Sequence, residues 1–194
     1  NTGTNLVADT GNASLTVLGV RGTSGQYGDV TLSTTGTLTI GTSGIGSGTE
    51  IGDVTLSGGT VALTGNITTS GTGNGANQVG DIDINGAATI DGAVVLTSDV
   101  TGGKTNDGKV DFNSTISGIN TGGDSAADTL TIETGGGNVV LGGTIGAADG
   151  AHLDGLTINT TATDANYDAA LSIPAIGTHG TRAGVQGITT IGNA

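Results

Sequence analysis

Asp128-Thr-Leu-Thr-Ile-Glu-Thr-Gly-Gly-Gly-Asn-Val-Val-Leu-Gly-Gly-Thr-Ile-Gly146 decides the reading of this chain. It holds three short alternating runs, Leu130/Ile132, Val139/Leu141 and Ile145, separated by glycine-rich corners. Strict alternation of apolar and small polar residues marks a strand buried on one face only. Three such strands turning through Gly and Asn corners describe one coil of a solenoid. Most of the chain upstream is a looser copy of it.

The copies share a five-residue motif. Gly28-Asp-Val-Thr-Leu32 recurs as Gly52-Asp-Val-Thr-Leu56 and Gly80-Asp-Ile-Asp-Ile84, then more weakly as Gly108-Lys-Val-Asp-Phe112 and Gly137-Asn-Val-Val-Leu141. The starts are 24, 28, 28 and 29 residues apart. Self-similarity at a period of 20–50 residues points to a stacked repeat, and the period is too short for independent sandwich domains of about 100 residues. A second run follows each motif: Thr37-Leu-Thr-Ile40, Thr60-Val-Ala-Leu63, Ala87-Ala-Thr-Ile90, Ser114-Thr-Ile116 and Gly143-Thr-Ile145. A third set reads Ser14-Leu-Thr-Val17, Thr129-Leu-Thr-Ile132, Gly155-Leu-Thr-Ile158 and Gly187-Ile-Thr-Thr-Ile191.

These patterns predict an all-β fold, a parallel and right-handed β-solenoid with about three short strands per coil. About seven coils at a spacing near 4.8 Å give a rod on the order of 35 Å long. Residues 1–194 form a single solenoid, with an irregular extended corner or side loop at about 160–184 that carries Tyr167, Pro174, His179 and Arg182. Asn74-Gly75 and Asn85-Gly86 are expected turns, because both residue types tolerate positive φ.

Composition agrees. Of 194 residues 40 are Gly, 1 is Pro, 2 are Tyr, 1 is Phe and none is Trp. A core without large aromatic area must be narrow and filled by Val, Ile, Leu and Ala, as a stack of small coils is. With 4 basic and 17 acidic residues the formal net charge is −13. That excludes most nucleic-acid binding, which needs clustered Lys and Arg, and opposes attraction to anionic membranes. The chain has no Cys, so thiol and disulfide chemistry is out. It also lacks Met and any long apolar run, so it reads as a processed or excised piece whose export signal lies elsewhere.

From Gly108-Lys-Val-Asp-Phe-Asn-Ser-Thr-Ile-Ser-Gly118 through Leu130-Thr-Ile-Glu-Thr-Gly135 and Gly137–Gly146 to Leu153-Asp-Gly-Leu-Thr-Ile158, the sequence resembles filamentous-haemagglutinin-like β-helices and repetitive β-strand-repeat surface proteins of bacteria. In looser form the resemblance reaches back to about residue 12. It implies an exported, extracellular structural protein of the cell surface, a shaft segment without catalysis. Open strand edges at both ends of a solenoid add the expectation of end-to-end stacking into a fibre or homo-oligomer. The alternative is an adhesin whose Gly19–Gly28, Thr68–Gly80 or Thr160–Arg182 loops bind a glycan or a surface protein.

Stacking in register aligns Asp29, Asp53, Asp81, Lys109 and Asn138 in one outward row, and Thr31, Thr55, Asp83, Asp111 and Val140 in the next. Like charges at this spacing repel by roughly 1 kcal/mol even in water. Asp81, Asp83 and Asp111 are therefore the candidate ligands for Ca²⁺, a hard cation that takes oxygen donors. The competing account is a solvated acidic face with Lys109 partly neutralising Asp81. No Gly-Gly-x-Gly-x-Asp calcium repeat occurs. Asp124, Asp128 and Glu133, or Asp149 and Asp154, are conceivable carboxylate pairs for polysaccharide cleavage, but the aromatic platforms of sugar sites are lacking. His152 and His179 show no nucleophile or carboxylate at a telling spacing. Neither an enzyme nor a resident cofactor is expected. Threonine pairs such as Thr35/Thr37/Thr39 suggest ice binding as a minor alternative, although Thr suits any exposed strand position. The Asn-x-Ser/Thr sequons at Asn12, Asn66, Asn113 and Asn159 fit chance occurrence in such a composition.

Overall fold

The computed structural model describes residues 5–22, 28–47, 51–69, 80–98, 108–119, 127–135, 137–146, 150–160, 171–173, 176, 185 and 189–192. Along them run β1 (Leu6–Asp9), β2 (Leu15–Val17), β3 (Val30–Ser33), β4 (Thr37–Ile40), β5 (Val54–Leu63), β6 (Ile67–Thr68), β7 (Ile82–Ile90) and β8 (Ala93–Thr97). Then follow β9 (Val110–Phe112), β10 (Ile116–Gly118), β11 (Thr129–Glu133), β12 (Val139–Leu141), β13 (Gly155–Asn159), β14 (Leu171–Ser172) and β15 (Thr189–Gly192). Among the described residues there is no helix, and none long and apolar enough to cross a membrane.

Every strand pairing is parallel, and each joins one coil to the next. The fold is a β-solenoid. Its first row runs β1-β3-β5-β7-β9-β12-β14. The second holds β2, β4, the later halves of β5 and β7, and β10, and continues through single bridges from Ile116 to Ile145 to Ile176. The third is β6-β8-β11-β13-β15, extended toward the N-terminus by bridges from Ile67 to Ile45 to Val20.

Alternation dictates the core. Inward positions stack as columns, Leu6-Val30-Val54-Ile82-Val110-Val139-Leu171 being one and Leu32-Leu56-Ile84-Phe112-Leu141 its neighbour. From Val30 to Val139 the first column is at most 2% exposed. Residues between the inward ones face outward and are mostly polar or small, Val7, Val95 and Val140 being exceptions. Among the described residues Phe112 is the largest fully buried side chain, in a core otherwise filled by aliphatics.

The Gly-Asp corners follow from close backbone stacking. A Cβ on Gly80 would lie 2.2 Å from the Gly52 carbonyl oxygen, and one on Gly108 2.2 Å from that of Gly80. No residue with a side chain fits between coils approaching this closely.

The five motif copies align in the expected register, and β1 and β14 extend the row by a level at each end. Other expectations are corrected. Asn85-Gly86 is no turn: β7 runs through it, and Gly86 at φ 145° bends the strand while hydrogen bonding continues to both sides. Parallel neighbours above and below favour a bent strand over a tight reversal there. The corresponding corner of β5 is likewise a register shift between Ser57 and Thr60 within one strand. Asn74-Gly75 lies outside the described residues. Ser14–Val17 belongs to the second row, since Leu15 pairs with Leu38, not to the third. Ile116 stands beside Ala88 rather than Ile90, two residues from where the shared Thr-Ile pair would put it. Within the irregular stretch at 160–184, Leu171 and Ser172 pair with Val139 and Val140, and Ile176 bridges Ile145. Tyr167, Pro174, His179 and Arg182 lie outside the described residues.

Candidate functional site

The outward edge of the first row gathers the acidic side chains. Just before each strand the side chain of one coil accepts the backbone N–H of the next: Asn5 Oδ1 from Asp29 (3.0 Å), Asp29 Oδ1 from Asp53 (3.1 Å), Asp53 Oδ1 from Asp81 (3.0 Å) and Asp81 Oδ1 from Lys109 (2.9 Å). Asn5 Nδ2 also donates to Asp29 Oδ2 at 3.2 Å. An N–H at a strand entrance has no ladder partner of its own, and a carboxylate is the strongest neutraliser of such an orphan. The row that reads as a run of repelling charges is thus a hydrogen-bonded ladder tying coil to coil.

Asp83 and Asp111 share the next outward column and stand directly beside each other. Between them lies Lys109, its Nζ 2.9 Å from Asp83 Oδ1 and 3.7 Å from Asp111 Oδ2. The hydrogen bond to Asp83 holds the Lys109 ammonium above the usual lysine range, against partial burial and with help from the charges of Asp83, Asp81 and Asp111. Burial pushes the Asp81 carboxyl above its ordinary value. The Lys109 N–H and ammonium pull it down, while Asp53 and Asp83 add to the rise.

Of the three candidate calcium ligands, then, Asp83 and Asp111 are brought together around an ammonium, and Asp81 serves the backbone. Lys109 pairs directly with Asp83 and Asp111 and gives Asp81 its N–H, so the neutralisation expected for Asp81 falls mainly on its neighbours. Among the described residues no group of three or more His, Asp or Glu is placed to hold a metal ion.

Three further candidate carboxylates, Asp128, Asp154 and Glu133, have structural partners. Asp128 is fully buried and accepts the N–H groups of Gly92 (2.8 Å) and Ile119 (2.7 Å). Its own N–H goes to Asp154 Oδ2 at 2.8 Å. Glu133 Oε2 accepts the Thr97 hydroxyl at 3.3 Å. Asp124, Asp149 and His179 lie outside the described residues.

Two features escaped the sequence reading. His152 is buried, with Nε2 3.5 Å from Asp154 Oδ1; the His-x-Asp spacing was its only sequence signal. Thr69, Ser98 and Thr134 form a set of buried hydroxyl latches. Each sits where the third row ends and donates to the carbonyl of the glycine that opens the next coil, Gly80, Gly108 and Gly137, at 2.5, 2.7 and 2.8 Å. Their signal is a Thr or Ser directly after a third-row strand, hidden in a chain where Thr is everywhere. Comparison with protein-family models, with curated proteins and with solved structures found no match.

Proposed function

We propose that this chain is a structural segment of the bacterial cell surface, an extracellular solenoid shaft that stacks end to end, as the resemblance to filamentous-haemagglutinin-like repeats implies. One observation carries the reading. Of the first inward column, only the end residues are substantially exposed, Leu6 at 41% and Leu171 at 36%. Setting the Leu171 end of one copy on the Leu6 end of another continues the column and pairs β14 with β1. Val7 and Leu18, the other exposed large apolar side chains among the described residues, belong to the same first level. The reading includes no catalytic step: of the carboxylates that suggested one, Asp128 and Asp154 accept backbone N–H groups and Glu133 accepts the Thr97 hydroxyl.

Electron microscopy of the purified chain over rising concentration, with Ca²⁺ and with chelator, tests the proposal. The expected result is narrow filaments with an axial repeat on the order of 35 Å, unaffected by chelator. Isolated short rods at every concentration refute stacking. Filaments lost in chelator restore calcium at Asp81, Asp83 and Asp111.

The adhesin reading has an observation of its own. Thr69 donates to the Gly80 carbonyl and Ser98 to the Gly108 carbonyl, so residues 70–79 and 99–107 each begin and end at the same corner of successive coils. Successive insertions anchored along one corner are how a rigid shaft presents variable surface. Binding to a glycan or protein that disappears when residues 70–79 are deleted, with filaments intact, would favour it.

A further inference from the structure

Core residues that are only partly covered sit at the two ends of the rod. Among the described residues they are Ala8, Leu15, Val17 and Val20 in the first coil and Ile173, Ile176 and Val185 in the last. One register line in each row runs the whole length of the stack. In the first row it is Leu6-Val30-Val54-Ile82-Val110-Val139-Leu171. In the second it is Leu15-Leu38-Val61-Ala88-Ile116-Ile145-Ile176. In the third it is Val20-Ile45-Ile67-Leu96-Ile132-Ile158-Ile191. Every line has an aliphatic residue at both ends. The backbone of the first coil is also open on its far side. The N–H groups of Leu6 and Thr10 donate to the Asp29 and Ser33 carbonyls, so by alternation those of Val7 and Asp9 point along the rod, away from β3.

We infer that copies of this chain join in one direction only, the last coil of one on the first coil of the next with all three rows in register, so that the fibre is polar. The inference rests on the stacking proposed above and adds its direction and register. Head-to-tail contact sets Leu171 over Leu6, Ile176 over Leu15 and Ile191 over Val20. It keeps every new pairing parallel, as all pairings within the rod are. Contact between two first coils requires instead a two-fold axis across the rod. That axis turns β1 antiparallel to its own copy and exchanges the second and third rows, because the facing coils then wind in opposite senses. Leu15 and Val17, two partly buried residues of one strand, would meet Val20, which holds its row by a single bridge. Contact between two last coils sets β15 against Ile176 in the same way. A head-to-tail contact is heterologous and does not close on itself, which makes it the geometry of a filament rather than of a dimer.

Because the chain has no cysteine, cross-linking between introduced thiols reads the junction directly. The outward column of the first row is Val7-Thr31-Thr55-Asp83-Asp111-Val140-Ser172. The inferred register continues it from Ser172 of one copy to Val7 of the next, with Cα atoms about 4.8 Å apart. Both residues are exposed, so cysteine at either leaves the core untouched. Val7→Cys/Ser172→Cys, assembled and then treated with a short bis-maleimide, should give covalent trimers and longer chains on a denaturing gel. Each single variant should stay monomeric. An equal mixture of the two single variants should give dimers, and it serves if the double variant does not assemble. Thr31→Cys/Thr55→Cys, neighbours in the same column of one chain, calibrates the reagent by losing both thiols without forming multimers. Electron microscopy of the same samples keeps the two ideas apart. Filaments that do not cross-link, or a single variant that links to itself, overturn the direction and register while stacking stands. Absence of filaments overturns the stacking and this inference with it.

Discussion

Gly80→Ala tests the close stacking that makes this solenoid possible. The new Cβ would stand 2.2 Å from the Gly52 carbonyl oxygen, 2.3 Å from its carbon and 2.8 Å from the Asp53 nitrogen. All three are backbone atoms, so no rotamer change relieves the contact. Reaching van der Waals separation requires the coils to part locally by about 1 Å. Two bonds flank the point, Val54 N–H to the Asp81 carbonyl at 2.8 Å and Asp81 N–H to Asp53 Oδ1 at 3.0 Å. Parting by that much carries both out of hydrogen-bonding range, at about 1 kcal/mol each. Residual overpacking adds about 1–3 kcal/mol, so the expected loss is about 3–5 kcal/mol. Two other glycines calibrate the result. A Cβ on Gly52 meets the movable Asp29 Oδ1 at 2.4 Å and threatens a single ladder bond, so Gly52→Ala should cost about 1 kcal/mol. Gly92, at φ +81°, has nothing within 4 Å, so Gly92→Ala should cost about 1–2 kcal/mol for the left-handed backbone alone. Denaturant unfolding followed by far-UV circular dichroism gives the ranking, with the slope checked because stacked coils unfold with nearest-neighbour cooperativity. A Gly80→Ala loss no larger than that of Gly92→Ala would refute the reasoning.

Acidification should stabilise the fold. Asp81 and Asp128 both have folded-state pKa values raised above the ordinary 3.8, so the folded chain binds their protons more tightly than the unfolded one. Stability from these groups is therefore present at low pH and lost as pH rises through the raised values; relief of self-repulsion at a net charge of −13 has the same sign. Tm should climb as pH falls from neutral toward 3.8 and then cease to gain from these two groups, with a shallower climb in Asp81→Asn; a Tm that falls over that range contradicts the assignment. Lys109→Gln, by contrast, should cost less than about 1 kcal/mol, because its side chain is 38% exposed, and the loss should shrink in high salt. A salt-independent loss of several kcal/mol would show that the pairing with Asp83 and Asp111 is far better shielded than its exposure implies.

Where alternation was strict and glycines marked the corners, the architecture was legible. Gly28–Leu32, Gly52–Leu56 and Gly80–Ile84 carry the register in their spelling, because a shift of one residue would turn every apolar side chain outward. The third row was harder to read. Val20, Ile45 and Ile67 join it through single bridges or a two-residue strand, too short for a period to show. Ser14–Val17 was assigned to the wrong row because Leu-Thr-Val and Leu-Thr-Ile are spelled alike on two faces, and pairing rather than local sequence separates them. Asn85-Gly86 has the composition of a turn, but composition reports only that a backbone tolerates unusual φ, and the bonds on either side decide the direction it takes.

The acidic residues pose the deeper difficulty. A column of aspartates at every coil invites a cation, since charge is visible in a sequence and hydrogen bonding is not. A parallel stack, however, presents an unsatisfied N–H wherever a strand begins, at the same place in every coil, and that periodic need calls for a periodic acceptor. Asp29, Asp53 and Asp81 meet it from the preceding coil, while Asp128 and Asp154 meet it at another corner from the following one. Lys109 ends the first series because a lysine side chain has no acceptor to offer the coil after it, and there its ammonium turns sideways to Asp83 and Asp111. The same repeat period therefore accounts for the spacing of the acids without a ligand. In a solenoid, a chemical role for such a row has to be argued from a side chain that departs from the ladder. Among the described residues the buried His152 is such a departure in position: it stands against Asp154 where the earlier coils have only glycine, serine, threonine and asparagine.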